Sequence, residues 1–384
     1  MAWDLPPFEL PDEVLKSWRS AGRKGARVRK AWQSRLDGSN LKPDFDRAIN
    51  GDLPANAFAA LDAYIDTAVA TKPAAATRQH SGAALEHLVP AIPELIGGSA
   101  DLTGSNNTYV KGTKAFDLPD YDGRYVHYGV REHGMAAAMN GMALHGGIIP
   151  FSGAFLVFSD YSRPSIRLGA LMGTRVIHVM THDSIGVGED GPTHQPVEHV
   201  GSLRMIPNLN VYRPADAIEA AECWKLALSS KTTPSVMALS RQKVPAVRTE
   251  AATENLSAKG AYERKAASAP AKVTIFASGT EVSIAVAARE ILETEGVPTR
   301  VVSTPCWDLF ETQPAKYKAE VIGKAPVRVA VEAQVSYGWE RFIGENGAFV
   351  GMTGFGASAP AEKLYKEFGI TAEAVVAAAK AKLG

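Results

Sequence analysis

The sequence predicts an α/β protein built from two doubly wound, mostly parallel sheets behind an N-terminal helical arm, and three observations predict it. From Ala76 onward, short apolar runs alternate with longer amphipathic stretches, the rhythm of strands joined by crossover helices. A polar, Ala/Thr/Lys-rich passage from about Arg248 to Lys272 interrupts that rhythm before it resumes, so a second, smaller unit of the same kind follows a linker. Up to residue 72 the chain is Pro-punctuated and its periodicity is helical only. The expected division is therefore an arm over 1–72, a larger α/β domain over 73–248 and a smaller one over 262–384.

In the arm, Asp12-Glu13-Val14-Leu15 opens one amphipathic stretch and Phe58 to Ile65 repeats apolar residues at helical spacing. In the larger domain Ser81–Leu88 reads as helix, Leu95 to Leu102 as a strand entering a glycine turn, and Arg124–Tyr128 as a strand. Met135–Leu144 is a helix rich in Ala and Met, and strands follow near Gly147–Pro150, Val176–Met180 and Leu209–Tyr212. Asp216–Ser229 is a helix with Asp216 in capping position, and Val236–Leu239 is the next strand. After the linker, Val273–Ala277, Thr299–Val302 and Val327–Val331 are strands, while Val282–Glu295 and Thr371–Lys382 are helices.

Composition narrows the function. Lys plus Arg and Asp plus Glu both number 41 among 384 residues, so no global charge draws the chain to nucleic acid or membrane. Only Cys223 and Cys306 occur, without a CxxC pair, which argues against a disulfide framework or thiolate zinc site and for a reducing cytoplasm. No apolar run reaches the ~18 residues that span a bilayer. One local exception is Arg19–Arg35, which carries seven basic residues and no acid. Such a run could touch a polyanion, but it reads better as a solvated helix face or a surface for an acidic protein partner.

The chemistry-bearing residues concentrate in Thr181–Pro196, THDSIGVGEDGPTHQP, a loop rich in Gly, His and acids directly after a β-branched run. A strand end feeding such a loop is where α/β enzymes keep their reactive groups. Glu132 lies where a strand gives way to a helix, and the unpaired amides of a first helical turn favour a carboxylate. Phe155, Phe158 and Tyr161 recur every third residue, as on one helical face. Four histidines, His178, His182, His194 and His199, fall within 22 residues. They lack HExxH or Cys company, so hydrogen bonding to a polar substrate suits them better than zinc, and no metal ligands are expected in this chain. Arg78 and Arg241 stand at element boundaries where a guanidinium can grip a phosphate with two parallel bonds.

Together, Gly97–Asn106 (GGSADLTGSN), His127–His133 (HYGVREH), the Phe155/Phe158/Tyr161 segment, Thr181–Pro196, Leu239–Gln242 (LSRQ) and Thr304–Phe310 (TPCWDLF) resemble the landmarks of transketolase, in order. The resemblance covers nearly the whole chain. It implies a pyrimidine-binding domain for thiamine diphosphate followed by a transketolase C-terminal domain. It also implies a role for each residue. Glu132 would hydrogen-bond the aminopyrimidine of the cofactor, Phe155, Phe158 and Tyr161 would surround that ring, and Asp101 would lie near it. Arg78, Ser105, His182 and Arg241 would hold the sugar phosphate, Asp190 would read a substrate hydroxyl, and His194 would contact hydroxyls near the reacting carbon. The implied reaction moves a two-carbon ketol unit from a ketose phosphate to an aldose phosphate.

The chain departs from the family in one respect: it has no Gly-Asp-Gly motif, the family's signature for binding the diphosphate and Mg²⁺, since Gly51-Asp52 continues with Leu53. The implied arrangement is a homodimer working with a separate diphosphate-binding subunit that supplies Mg²⁺, this chain being inactive alone. The competing expectations are a non-catalytic or truncated dimer that binds or regulates a full-length relative, and ketol transfer of the dihydroxyacetone synthase type.

Overall fold

A computed structural model describes residues 5–384. The chain divides after Asp52 into two units. The first carries the helices Asp12–Arg23, Ala26–Asp37 and Lys42–Ile49. None of its described side chains is buried. Its internal contacts are modest, an edge-on pairing of Trp32 with Phe45 at 5.8 Å and a Lys42–Asp46 ion pair at 2.6 Å.

The second unit begins at Leu53, so the expected arm over 1–72 does not hold together. Its last helix, Ala59–Thr71, is a core element. Ala57 and Leu61 are buried in the main hydrophobic cluster, against Leu85 and Leu88 of the helix Thr77–Ala91. The apolar spacing at Leu61 and Ile65 was legible, but what it packs against was not.

The strands of this unit in chain order are β1 (Ala75–Ala76), β2 (Leu95–Ser99), β3 (Tyr125–His127), β4 (Ile149–Phe155), β5 (Ile177–Thr181), β6 (Asn210–Tyr212), β7 (Ser235–Leu239), β8 (Lys243–Val244), β9 (Tyr262–Lys265), β10 (Val273–Ala277), β11 (Thr299–Ser303), β12 (Val327–Val331) and β13 (Ala348–Val350). Six of them form a fully parallel sheet in the order β3-β2-β4-β5-β7-β6. Side-chain alternation divides its two faces. Ile177 and Val179 of β5, with Met237 and Leu239 of β7, join a cluster containing Trp224 and Leu88. Met180, Val236 and Ala238 join the opposite cluster with Met135, Met139 and Ile166. Asp216 caps the helix Ala217–Ser229 as expected, accepting hydrogen bonds from the amides of Ile218 and Glu219 at 3.0 Å.

The second sheet runs β13-β12-β10-β11-β9 and is parallel except for β9. That antiparallel edge strand lies inside the passage expected to be a linker. Tyr262-Glu-Arg-Lys265 is short and charged, and its strand character comes from pairing with β11 and from burial of Tyr262 and Arg264. The aromatic trio also departs from expectation. Phe155 ends β4, Phe158 closes a 3₁₀ turn, and only Tyr161 lies on the helix Ser159–Met172.

The ends of both sheets share a buried charge cluster. Arg213, fully buried just beyond β6, donates to Asp183 (2.9 Å), which follows β5, and to Glu281 and Glu332, which follow β10 and β12. Arg204 completes it with a bidentate pair to Glu332 at 2.9 and 3.0 Å, and the Trp339 indole N–H donates to the same carboxylate at 2.8 Å. Burial works to raise the Glu332 pKa, but the two guanidinium groups outweigh it and bring it down to about 2.

Because that carboxylate is more acidic folded than unfolded, its contribution is present above the ordinary Glu range and is lost as pH falls toward 2. Glu332→Gln should therefore cost about 3–5 kcal/mol at neutral pH, as breaking one side of a buried pair does. It should also flatten the acid limb of stability, which denaturant titrations between pH 7 and pH 3 would measure.

Candidate active site

In the first sheet the chain passes from β2 to β3 on one side and returns to β4 on the other, so the direction reverses beside β2. Parallel α/β sheets bind ligands outside the carboxyl ends of their strands at such a reversal. Here those ends carry Asp101 after β2, Phe155 at the end of β4, His182 after β5 and Arg241 after β7. Asp101 and His182 both adopt left-handed backbone, with φ of 62° and 61°. That conformation costs non-glycine residues of order 1–2 kcal/mol, and the surrounding hydrogen bonds hold it.

One chain of buried hydrogen bonds sets the floor. Ser99 donates to the Gly153 carbonyl (3.2 Å), Asn106 Nδ2 donates to Ser99 Oγ (3.2 Å), and Thr181 Oγ1 donates to Asn106 Oδ1 (2.6 Å). This ties together the ends of β2, β4 and β5. Gly153 makes the approach possible, because a Cβ there would meet Asn106 Nδ2 at 2.8 Å and the Thr108 methyl at 2.9 Å. With its proton given to Asn106, Thr181 Oγ1 can only accept from His182 Nδ1, 2.8 Å away. His182 is thus the Nδ1–H tautomer, and its Nε2 is left as an acceptor.

Above that floor the rings assemble. Phe155 stacks on His182 with centroids 3.7 Å apart and on Phe158 at 5.7 Å, while Phe158 meets Tyr161 at 6.0 Å. His194 stands edge-on to Phe155 and Phe158 at 6.3 and 5.5 Å. The aromatic segment and the histidine loop, separate in sequence, are one surface.

Two arginines flank it. The amide of Thr77 donates to Ser240 Oγ at 3.0 Å and the amide of Ser240 donates to Thr77 Oγ1 at 2.7 Å, clamping the start of the helix Thr77–Ala91 to the end of β7. Arg78 and Arg241 follow those residues directly. Burial and the Arg241 charge pull the Arg78 pKa below its ordinary value. Burial, then Arg78, Arg241 and His194, press His182 down to about 3, so it is neutral at pH 7. Arg78 donates to the Ser105 carbonyl at 2.5 Å, and neither guanidinium has an ion-pair partner among the described residues. Two converging cations without a counterion, beside a neutral histidine, form a site for a polar anion.

Other expected site residues stand further out. Glu132 begins the helix Glu132–His145, is buried, and its carboxylate has no partner among the described residues. Among the described residues, no hydrogen bond or ion pair joins Glu132 or Asp101 to the ring cluster. Asp190 is exposed at a turn of the loop, which Gln195 holds by donating to the carbonyls of Gly188 (2.8 Å) and Ala357 (2.9 Å). His178 is fully buried within β5, with its pKa pushed down to about 4 by burial, and belongs to the core. His199 pairs with Asp160 at 3.1 Å. Sequence reasoning missed Asn106 and Thr181, which orient His182, and Gln242, whose amide donates to the Tyr365 hydroxyl at 3.1 Å.

Against known proteins, the family model of the transketolase pyrimidine-binding domain matches residues 73–247 and that of the transketolase-like C-terminal domain matches residues 260–371. This chain belongs to the transketolase family. The transketolase of Cereibacter sphaeroides is 52% identical over 383 residues, spanning 100% of this chain and 58% of that protein. The solved transketolase from Leishmania mexicana is 43% identical with a TM-score of 0.88, over 98% of this chain and 55% of its own. The chain thus spans little more than half the length of these relatives. A chain of matching extent is also known: a split gene transketolase, described as an inactive β4 tetramer, is 26% identical with a TM-score of 0.67, over 80% of this chain and 98% of its own.

The geometry predicts that His182 does not titrate between pH 8 and pH 5 in the free protein. Imidazole nitrogen shifts should report a neutral, Nδ1-protonated ring throughout that range. A midpoint near the ordinary histidine value would contradict the assignment.

Proposed function

We propose that this chain forms the pyrimidine-side wall of a transketolase site and transfers a two-carbon ketol unit from a ketose phosphate to an aldose phosphate when a diphosphate-binding chain completes it. The observation that carries this reading is the cationic cluster of Arg78 and Arg241 with His182, unneutralised by protein and set against the stacked Phe155. In this reading residues 73–248 are the pyrimidine-binding domain and 262–384 the C-terminal domain.

The residues present suit the pyrimidine half of thiamine diphosphate. Glu132 offers a buried, unpartnered carboxylate to a ring nitrogen, Phe155, Phe158 and Tyr161 offer ring faces, and Asp101 lies at the neighbouring strand end. When bound, the cofactor supplies the carbon nucleophile that the polypeptide lacks. The diphosphate and Mg²⁺ would be held by the partner chain. Among the described residues, the one metal-like trio, Asp160, Glu198 and His199, is an imidazole between two carboxylates and shows no diphosphate cradle.

This chain's residues would act on the sugar. Arg78, Arg241, His182 and Ser105 would fix its phosphate. That orients the chain of hydroxyls so that His194 meets those nearest the reacting carbon and Asp190 reads one further along. His182 Nε2 is unprotonated before the substrate arrives, so a phosphate dianion that recruits a proton there would gain a third donor. An exposed apolar strip on the helices Glu132–His145 and Ser159–Met172, including Leu144, Leu168 and Leu171, suits a homodimer face. The two free cysteines, both buried, are consistent with a cytoplasmic setting. No described helix is long and apolar enough to cross a membrane.

With the complementary chain present, Glu132→Ala is expected to abolish turnover while leaving the fold intact. Arg241→Ala is expected to raise KM for phosphorylated sugars about tenfold or more with little change in kcat, the pattern of lost uniform binding. Steady-state kinetics separate the two. Full activity in the Glu132 variant would overturn the mechanism, and an unchanged KM in the Arg241 variant would remove that residue from the phosphate site.

A further inference from the structure

The unit that ends at Asp52 does not account for its own folding. Not one of its described side chains is buried, although it includes Trp18, Val28, Trp32, Leu41, Phe45 and Ile49. Helices of 8 and 12 residues are marginal in water, and ordering them costs entropy that only burial repays. On the helix Asp12–Arg23 the apolar residues Val14, Leu15, Trp18 and Ala21 recur at helical spacing on one face, while Lys16, Ser17, Ser20 and Arg23 line the other. A surface of this kind is half of an interface.

Charge describes the other half. The seven basic residues of Arg19–Arg35 have no ion-pair partner among the described residues, and no acid lies among them in sequence. Elsewhere the chain pairs its cations freely, as at Arg204 with Glu332 and Arg248 with Glu222. The missing surface is therefore apolar at its centre and acidic at its rim.

The length comparison supplies an occupant. The match covers all of this chain but only 58% of the Cereibacter sphaeroides transketolase, so in that relative a large further body of protein accompanies the matching domains. We infer that the helices of residues 12–49 are a docking clamp for that body, the diphosphate-binding domain, with Leu15 and Trp18 as apolar anchors and Arg27, Arg29 and Lys30 as electrostatic guides. This rests on the proposed shared site. It goes beyond that reading by assigning partner capture to a segment remote in sequence from every residue given a role in catalysis.

The test uses the full chain and, as probe, the part of the Cereibacter sphaeroides transketolase that this chain does not span. Titration calorimetry and ketol-transfer activity would be measured for the natural chain, for Leu15→Asp/Trp18→Asp and for Arg27→Glu/Arg29→Glu. Both variants should weaken association at least tenfold and restore full kcat at saturating probe. Their unfolding temperatures should stay close to that of the natural chain, because Trp18 is exposed and Leu15 is only partly buried. Hydrogen exchange should slow across residues 12–49 only when the probe is bound. If the natural chain forms an active complex and both variants match its affinity, the clamp is overturned and the shared site stands. No complex and no activity with the natural chain would overturn both. Protection of the segment by heparin or an RNA oligomer, with none from the probe, would make it a polyanion surface and overturn the clamp.

Discussion

A single buried guanidinium, that of Arg213, is the point on which the larger unit turns. It binds carboxylates that follow β5, β10 and β12, so the carboxyl ends of both sheets converge on one charge. Removing such a charge from water is costly, and only close pairing on several sides offsets it. The consequence reaches the site directly. Asp183, one of the three partners, follows His182, so the strained backbone that presents the imidazole is anchored on its other side by an ion pair.

The two clusters of charge are opposites in the same small region. Around Arg213 two cations meet three carboxylates, Asp183, Glu281 and Glu332, so each charge has one of opposite sign from the protein beside it. Around His182 two arginines have no carboxylate partner among the described residues, and burial, reinforced by their fields, keeps the imidazole neutral. A structural cluster pairs each charge with one of opposite sign, whereas a binding site leaves its charges unpaired until its ligand arrives. That contrast separates residues kept for stability from residues poised for a substrate.

Much of this was legible in the sequence where one period dominates. The strands Val273–Ala277 and Val327–Val331 and the Asp216 cap follow from local pattern, and the parallel sheets follow from their alternation with helices. The passage Arg248–Lys272 was misread because a charged edge strand owes its existence to its neighbour β11 and not to its own composition. Phe155, Phe158 and Tyr161 converge by a route that spacing did not foresee, a strand end, a 3₁₀ turn and a helix start in succession. Residues such as Asn106 and Thr181 lie 75 positions apart and become partners only when β2 and β5 are brought to either side of β4. Motifs showed which residues bear the chemistry, while the tautomer and charge state of His182 needed coordinates.

The most direct test of the shared-site account is ketol transfer from xylulose 5-phosphate to ribose 5-phosphate, with thiamine diphosphate and Mg²⁺, by the purified chain alone and after mixing with a diphosphate-binding chain. The account predicts turnover in the mixture and none in the chain alone. Turnover by the chain alone would contradict it, since the diphosphate and its metal would then be held by residues to which no such role has been assigned.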